Sequence, residues 1–456
     1  MYVKSLYLPL LCFSRSRSKP EDVLLALQRK GLLSFSLRSR WAGCETWRAR
    51  THFGDVLITL NNEEKLIVES EEKKALDFFL KSFFLEVSAL CRAEPELVIV
   101  FLGDQLLPVG GSRLAAFLSR GALGVLVFAA VVTCLEAPLS ALGIPFLLST
   151  ALAFSISLPI ALLLGPAVAL RALPRWRMPH GQPLRIIVAK LVSLDSDVEL
   201  AASFAKLSLA KKPGELTPDA VISELESWGV PVRGVSVLEF PSPAARFCNG
   251  GECPEFFLTT SRRVLAVSYS ALGGSKVVLG VDALIDLDQD EVHAVVAHEL
   301  SHIKHGDSAT LTLVASLVGL LLLAGLEVLL PNIPALIAVF LAGVYAVTLL
   351  WRALELRADL EAALEAGRAP LRRALIKLEY PSLAKSSSPH RRILSVFLPT
   401  AHPPVWLRLA ALEKACLQKN LFREALKIIA SSLFLAVEAH ESLPNPPKRG
   451  LPLCCS

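Results

Sequence analysis

The spacing of apolar and polar residues changes period several times along this chain, and each change marks an element. Over residues 56–70, VLITLNNEEKLIVES alternates on either side of Asn61-Asn62, which predicts a β-hairpin turning there. Ser70 then caps a predicted helix that carries Leu76, Phe79, Phe83 and Leu90 at helical spacing. ELVIVFL at 96–102 reads as a strand. Residues 1–112 are therefore expected to form a soluble α+β region of unknown role. Nothing in it carries chemistry, and His52 has no partner nearby in sequence.

From about 114 the polar positions almost vanish. Segments 114–135 and 141–170 are each long enough to cross a bilayer, which takes about 20 residues; the second is kinked or shortened by Pro159 and Pro166. Arg113 stands before this pair and Arg171, Arg175 and Arg177 after it, so the positive-inside rule places both outer ends in the cytoplasm. A mixed soluble stretch, 178–308, follows this first hairpin (113–177). Within it Thr217-Pro218 opens a helix that stops at Gly229, and VSVLEF, RRVLAVSY and SKVVLG read as short strands. Asp288 and Glu291 form a capping box for a further helix, expected to end near His305. Two more apolar blocks, 309–330 and 333–351, are separated by PNIP and predict a second hairpin over 309–351, with Arg352 marking the return to the cytoplasm. Residues 352–456 are again soluble in character, and 421–438 has the charge pattern of an amphipathic helix.

Composition agrees with this division. Of 456 residues 53% are hydrophobic and 20% charged, against about a quarter charged in ordinary soluble chains. The net charge of +5 arises largely beside the apolar blocks and points away from nucleic acid. The nine cysteines are scattered; Cys248 and Cys253, with no second pair, are read as small buried or reduced thiols. The N-terminus has no cleavage pattern of a signal peptide and is read as the start of a folded region.

The chemistry is concentrated at His298-Glu299-Leu300-Ser301-His302. On a helix, residues four apart share a face, so the imidazoles of His298 and His302 can reach one metal ion. Glu299 then lies beside that ion, where a carboxylate can take a proton from water. A third ligand is expected where the second hairpin returns the chain to the side it left. The first acidic residue there is Glu355, and Asp359, one turn on, can accept the distal N–H of a ligating histidine. His305 is a rival ligand but lies on the same helix as the first two, and one straight helix can hardly offer three converging donors. His293 is turned away and read as structural, and Glu361 and Glu365 are weaker candidates than Glu355.

HELSHIKHGD, a membrane hairpin, ELRAD and AHPPVWLRLAAL together resemble the HtpX family of integral membrane zinc metallopeptidases, relatives of the CaaX prenyl endoproteases. The resemblance covers roughly 217–412. It implies zinc on His298, His302 and Glu355, Glu299 as catalytic base, Asp359 as orienting carboxylate, and His402 near the active site, helping to stabilise the oxyanion. It implies a structural role for Arg408. The family's edge-strand asparagine is missing or displaced to Asn249.

The expected protein is a multi-pass α-helical membrane protein of about four spans. It would carry a mainly helical, zincin-like catalytic domain with a small β-sheet, completed by residues 178–308 and 352–456. The expected activity is a zinc endopeptidase at the cytoplasmic membrane face, acting on polypeptides, misfolded membrane proteins among them, with both termini cytoplasmic. Its partners are substrate polypeptides and the lipid bilayer. A non-catalytic membrane sensor or scaffold with a structural metal site, and a prenyl-protein endopeptidase, are the alternatives. An intramembrane protease fits less well, because Lys304, His305 and Asp307 follow HELSH directly.

Overall fold

The structure is a computed structural model. It describes residues 1–435 except 11–12, 14–17, 42–43, 62–63, 91–95, 109–131, most of 132–174, 179–182, 194, 212–215, 241–252, 261–265, 272–273, 330–331, 386–388, 399, 401, 416–419 and 433–434. Most of the first expected membrane hairpin, and Asn249, lie outside the described residues. The chain divides into two compact units: residues 1–93 with 367–398 and 403–456, and residues 94–366 with 399–402.

The first unit begins with β1 (Tyr2–Tyr7), α1 (Pro20–Arg29), β2 (Ser34–Trp41), β3 (Cys44–Thr51), β4 (Gly54–Asn61), β5 (Lys65–Ser70) and α2 (Lys73–Leu90). The strands form an antiparallel sheet in the order β1-β5-β4-β3-β2. The expected hairpin is β4–β5, closed by Asn61 opposite Lys65. Ser70 Oγ accepts from the Glu72 backbone N–H at 3.2 Å, just ahead of α2, and Phe79 and Phe83 of that helix are fully buried.

The second unit contains β6 (Glu96–Leu102), β7 (Gln105–Leu107), β8 (Arg175–Arg177), β9 (Leu184–Leu191), α3 (Ser196–Leu209), α4 (Pro218–Ser227), β10 (Val232–Phe240), β11 (Glu255–Thr259), β12 (Ala266–Ala271) and β13 (Gly274–Gly280). After them come α5 (Val281–Asp286), α6 (Gln289–His305), α7 (Asp307–Leu329) and α8 (Ile333–Ala366). One sheet runs β10-β9-β6-β7 and is backed by α3 and α4; another runs β12-β13-β11-β8. Thr217 caps α4 by accepting from the Ala220 N–H at 3.3 Å, and the chain leaves that helix through Gly229 at φ +77°. The remaining helices, α9 (Arg368–Lys385), α10 (Pro389–Phe397), α11 (Val405–Lys414) and α12 (Leu421–Ala430), return to the first unit. There Arg372 of α9 pairs with the buried Glu64 at 2.6 Å, tying these helices to the N-terminal segment.

Helices with small sheets are as expected. Among the described residues one helix, α8, is long and apolar enough to cross a membrane, with a mean hydropathy of 2.4 over its best window and 6% of that window buried. α7 runs 23 residues, and its apolar side chains Leu313, Leu317 and Leu321 are exposed. Hydroxyls in both helices bond to carbonyls one turn back: Thr312 to Ser308, Ser316 to Thr312 and Thr348 to Val344. That leaves no hydroxyl of these three looking for water. Cys253 is disulfide-bonded, which corrects its reading as a reduced thiol; Cys44 and Cys134 are free. Sequence spacing misses such a bond because it depends on two Cβ atoms approaching within about 4 Å.

α6 is bounded at both ends by its own residues. Asp288 and Glu291 form the capping box, with the Asp288 N–H donating to Glu291 at 3.0 Å, and Gly306 ends the helix in the left-handed region at φ +62°. A Cβ at 306 would meet nothing within 4 Å, so only backbone strain opposes a side chain there. Gly306→Ala is expected to cost about 1 kcal/mol, and Gly306→Asn less, because asparagine tolerates this conformation. Denaturation of the three proteins in one detergent measures the order; equal stabilities would show that Gly306 is not needed for its φ.

Candidate metal centre

α6 packs along α8, and the two helices supply almost every group of the site. On α6, Val292, Ala294, Val296 and Ala297 are buried, so the face that carries His298 is held inside. On α8, Ala353, Leu354, Leu356, Ala358, Leu360 and Ala362 are buried around Glu355 and Asp359. The apolar part of α8 ends at Trp351, so these acids lie beyond the stretch able to span a bilayer.

Three donor atoms converge between the helices. His298 Nε2 lies 3.2 Å from His302 Nε2 and 3.7 Å from Glu355 Oε2, and His302 Nε2 lies 3.6 Å from Glu355 Oε1. Two ligands about 2.0–2.1 Å from one ion at a tetrahedral angle stand about 3.3 Å apart, so the set fits a single small cation. Among the described residues it is the one group of three or more such side chains close enough to share an ion.

The far side of each ring is also engaged. His298 Nδ1 is 3.0 Å from Asp359 Oδ1, the pairing expected for that carboxylate. His302 Nδ1 is 2.7 Å from Asp307 Oδ2, and Arg357 of α8 donates to the same oxygen at 2.5 Å. A ring that donates from Nδ1 keeps its Nε2 lone pair for the centre. Asp307 was not anticipated from the sequence. The signal available was Gly306: its left-handed turn ends α6 and lets the next residue fold back towards the last turn.

Glu355 is held from two further sides. Trp351 Nε1 donates to Oε1 at 3.3 Å, and His402 Nδ1 lies 2.9 Å from Oε2. Burial pushes the Glu355 carboxyl up, but hydrogen bonds from His298 and His402 outweigh it and hold the group well below the usual carboxylate range. The His402 side chain is 65% exposed, so it sits at the open rim of the site. Glu299, next to His298, is half-buried.

The other candidates fall elsewhere. His305 is exposed and lies 2.9 Å from Glu361, which also accepts from Ser301 at 2.6 Å and pairs with Lys304. Glu361 is thus a clasp between α8 and the last turn of α6. Glu365 is exposed, and His293 is half-buried. Arg408 sits in the other unit, where it donates to Glu379 at 2.8 Å.

Residues 251–416, which include all these ligands, match the family model for Peptidase family M48. Over this stretch the chain is similar to that family. Protease HtpX from Idiomarina loihiensis is 32% identical over 98 residues, or 22% of this chain. The match spans only 27% of that protein's length. Both matches support the resemblance to HtpX-like metallopeptidases.

Burial raises the Glu361 carboxyl, while Lys304, Ser301 and His305 lower it further, so its folded value lies below the unfolded one. A depressed carboxylate stabilises the fold above its unfolded pKa, about 4.3, and that contribution is lost as pH falls through the lower folded value. Glu361→Gln should therefore reduce stability near neutral pH and flatten the loss below about pH 4.5. Unfolding midpoints across pH 3–7 test this; parallel profiles for the two proteins would remove the clasp.

Proposed function

We propose that the chain is a zinc-dependent metalloendopeptidase that hydrolyses peptide bonds of polypeptide substrates beside a membrane. The observation that carries this reading is the convergence of His298, His302 and Glu355 within 3.2–3.7 Å, with Glu299 adjoining. A structural metal site needs four closed ligands, whereas three donors beside an acid leave a place for water.

His298, His302 and Glu355 would hold the ion, and the donor set of two imidazoles and a carboxylate suits zinc. When bound, zinc acidifies water and polarises a carbonyl. Glu299 takes the water proton and delivers it to the leaving amine. Asp359 and Asp307 keep the two rings in the tautomer that presents Nε2. His402, already against Glu355, steadies that carboxylate, and its imidazole would serve as a donor to the developing oxyanion. β12 is the edge strand of its sheet and packs against α6, so an extended substrate can add to it through backbone hydrogen bonds with little sequence selection.

The membrane part of the reading rests on α7, α8 and the apolar segments 114–135 and 141–170, giving about four spans. The stretch 333–351 of α8 rises about 28 Å, close to a bilayer core of about 30 Å. Damaged or misfolded membrane proteins are the substrates such a placement serves.

Metal content and casein proteolysis in detergent test the chemistry. Glu299→Gln should keep its zinc and lose about 10²–10⁴-fold in activity, while Glu355→Ala should lose the zinc. Full zinc in the second variant would sink the ligand assignment. Wild-type activity no greater than that of Glu299→Gln would leave a sensor or scaffold.

Orientation has two readings. The arginines at 113, 171, 175, 177 and 352 favour a cytoplasmic site. The disulfide at Cys253 favours an oxidising compartment, since such bonds are rare in most cytosols. Introducing a cysteine at Asp290, at the exposed start of α6, and labelling sealed cells with an impermeant maleimide decides between them. Cys134, near the C-terminal end of the first expected span, is already free and exposed, so the signal is read against the unsubstituted chain. A cytoplasmic site predicts no added labelling until the cells are opened; added labelling of intact cells would reverse the orientation.

A further inference from the structure

α10 presents two different faces. Its inner side is anchored within its own unit: Trp406 Nε1 donates to Ser395 Oγ at 3.1 Å, Arg392 lies 6.0 Å from the Trp406 ring, and Val396 is 5% exposed. The outer side carries Leu394, Phe397 and Leu398 at the i, i+3, i+4 spacing of one helical stripe, exposed by 59%, 53% and 46%. One turn earlier on the same face stand His390 and Arg391, both exposed. Three large apolar side chains in one stripe, with cationic residues at one end, are the layout of a helix lying in a membrane surface.

The position of the stripe along the chain says what covers it. Thr400 Oγ1 accepts from Arg352 Nη2 at 3.2 Å, and Arg352 is the first residue of α8 after its apolar stretch. Phe397 is three residues from Thr400 and Leu398 is two, so the chain itself holds them within about 10 Å of that bond. Chain connectivity alone thus keeps the stripe within that reach of Arg352, where the apolar stretch of α8 ends.

We infer that Leu394, Phe397 and Leu398 rest in the headgroup and upper acyl region of the bilayer, making α10 an interfacial anchor just ahead of His402. This rests on the reading of α8 as a membrane span. His390 and Arg391 suit anionic headgroups at the same level.

The test uses the full chain in vesicles of phosphatidylcholine with a minority of phosphatidylglycerol. Phe397→Cys, Leu341→Cys on α8 and Leu25→Cys on α1 each receive a polarity-sensitive fluorophore, read against identical labelling of the unsubstituted chain. Lipids bearing a nitroxide near the top or near the end of the acyl chain serve as quenchers. An interfacial helix sits about 5–10 Å into the headgroup boundary, so the label at 397 should be quenched by the shallow nitroxide more than by the deep one. The label at 341 should be quenched by both nitroxides, and that at 25 by neither. Quenching at 341 without quenching at 397 overturns the anchor while leaving the span. Absence of quenching at both positions means that the membrane reading itself has failed. A label at 397 that is unquenched by lipid yet shifts to the blue when unfolded casein is added would make the stripe a polypeptide-docking surface, and the anchor would again be wrong.

Discussion

Everything in the second unit depends on α6 and α8 meeting at a seam that is polar where helix seams are normally apolar. Glu355 and Asp359 are buried at 4% and 0% exposure, and Asp307 and Arg357 are nearly as deep. Burying an unpaired carboxylate costs several kcal/mol, so such a seam survives only if its charges are matched. Here each has its partner: Glu355 meets three imidazoles and the Trp351 indole, Asp359 one imidazole, and Asp307 both a ring and a guanidinium. Outside the polar patch, alanines and leucines close the seam. The helices are thereby locked in one register, because a slip of one residue would strand several buried charges at once.

The same matching explains why the site is preformed. Each imidazole has a carboxylate behind it and a shared centre in front, so tautomer and ring angle are fixed before any ion arrives. The two orienting acids come from different sources. Asp359 belongs to the facing helix, whereas Asp307 comes from the turn at which α6 itself ends. A single glycine in the left-handed region thus serves helix termination and ligand orientation together. The clasp at Glu361 holds the last turn of α6 to α8, farther from the centre, and uses up His305, which sequence spacing alone had left as a rival ligand.

Several elements were legible because their causes are local. The β4–β5 hairpin follows from alternation around Asn61, α4 from Thr217-Pro218 and Gly229, and α6 from Asp288, Glu291 and Gly306. Glu355 could be named because an apolar hairpin must bring the chain back to its starting side. Other features have no local cause. The bonded state of Cys253 depends on which thiol reaches it. Arg372 finds Glu64 across some three hundred residues, so the packing of C-terminal helices with the N-terminal segment leaves no trace in hydrophobic period.

The sequence by itself determined the chemical inventory: two imidazoles four apart with an acid between them, a helix fixed at both ends, and an apolar stretch that returns an ExxxD segment. Those are properties of spacing, and spacing is a backbone constant. Only the tertiary structure decided which atoms share a centre, which acid stands behind each ring, and that His402 touches Glu355 while Arg408 turns to Glu379 in the other unit. These choices are made by desolvation. Once α6 and α8 close on each other, every charge left between them must find the nearest complementary group, and distance along the chain no longer counts.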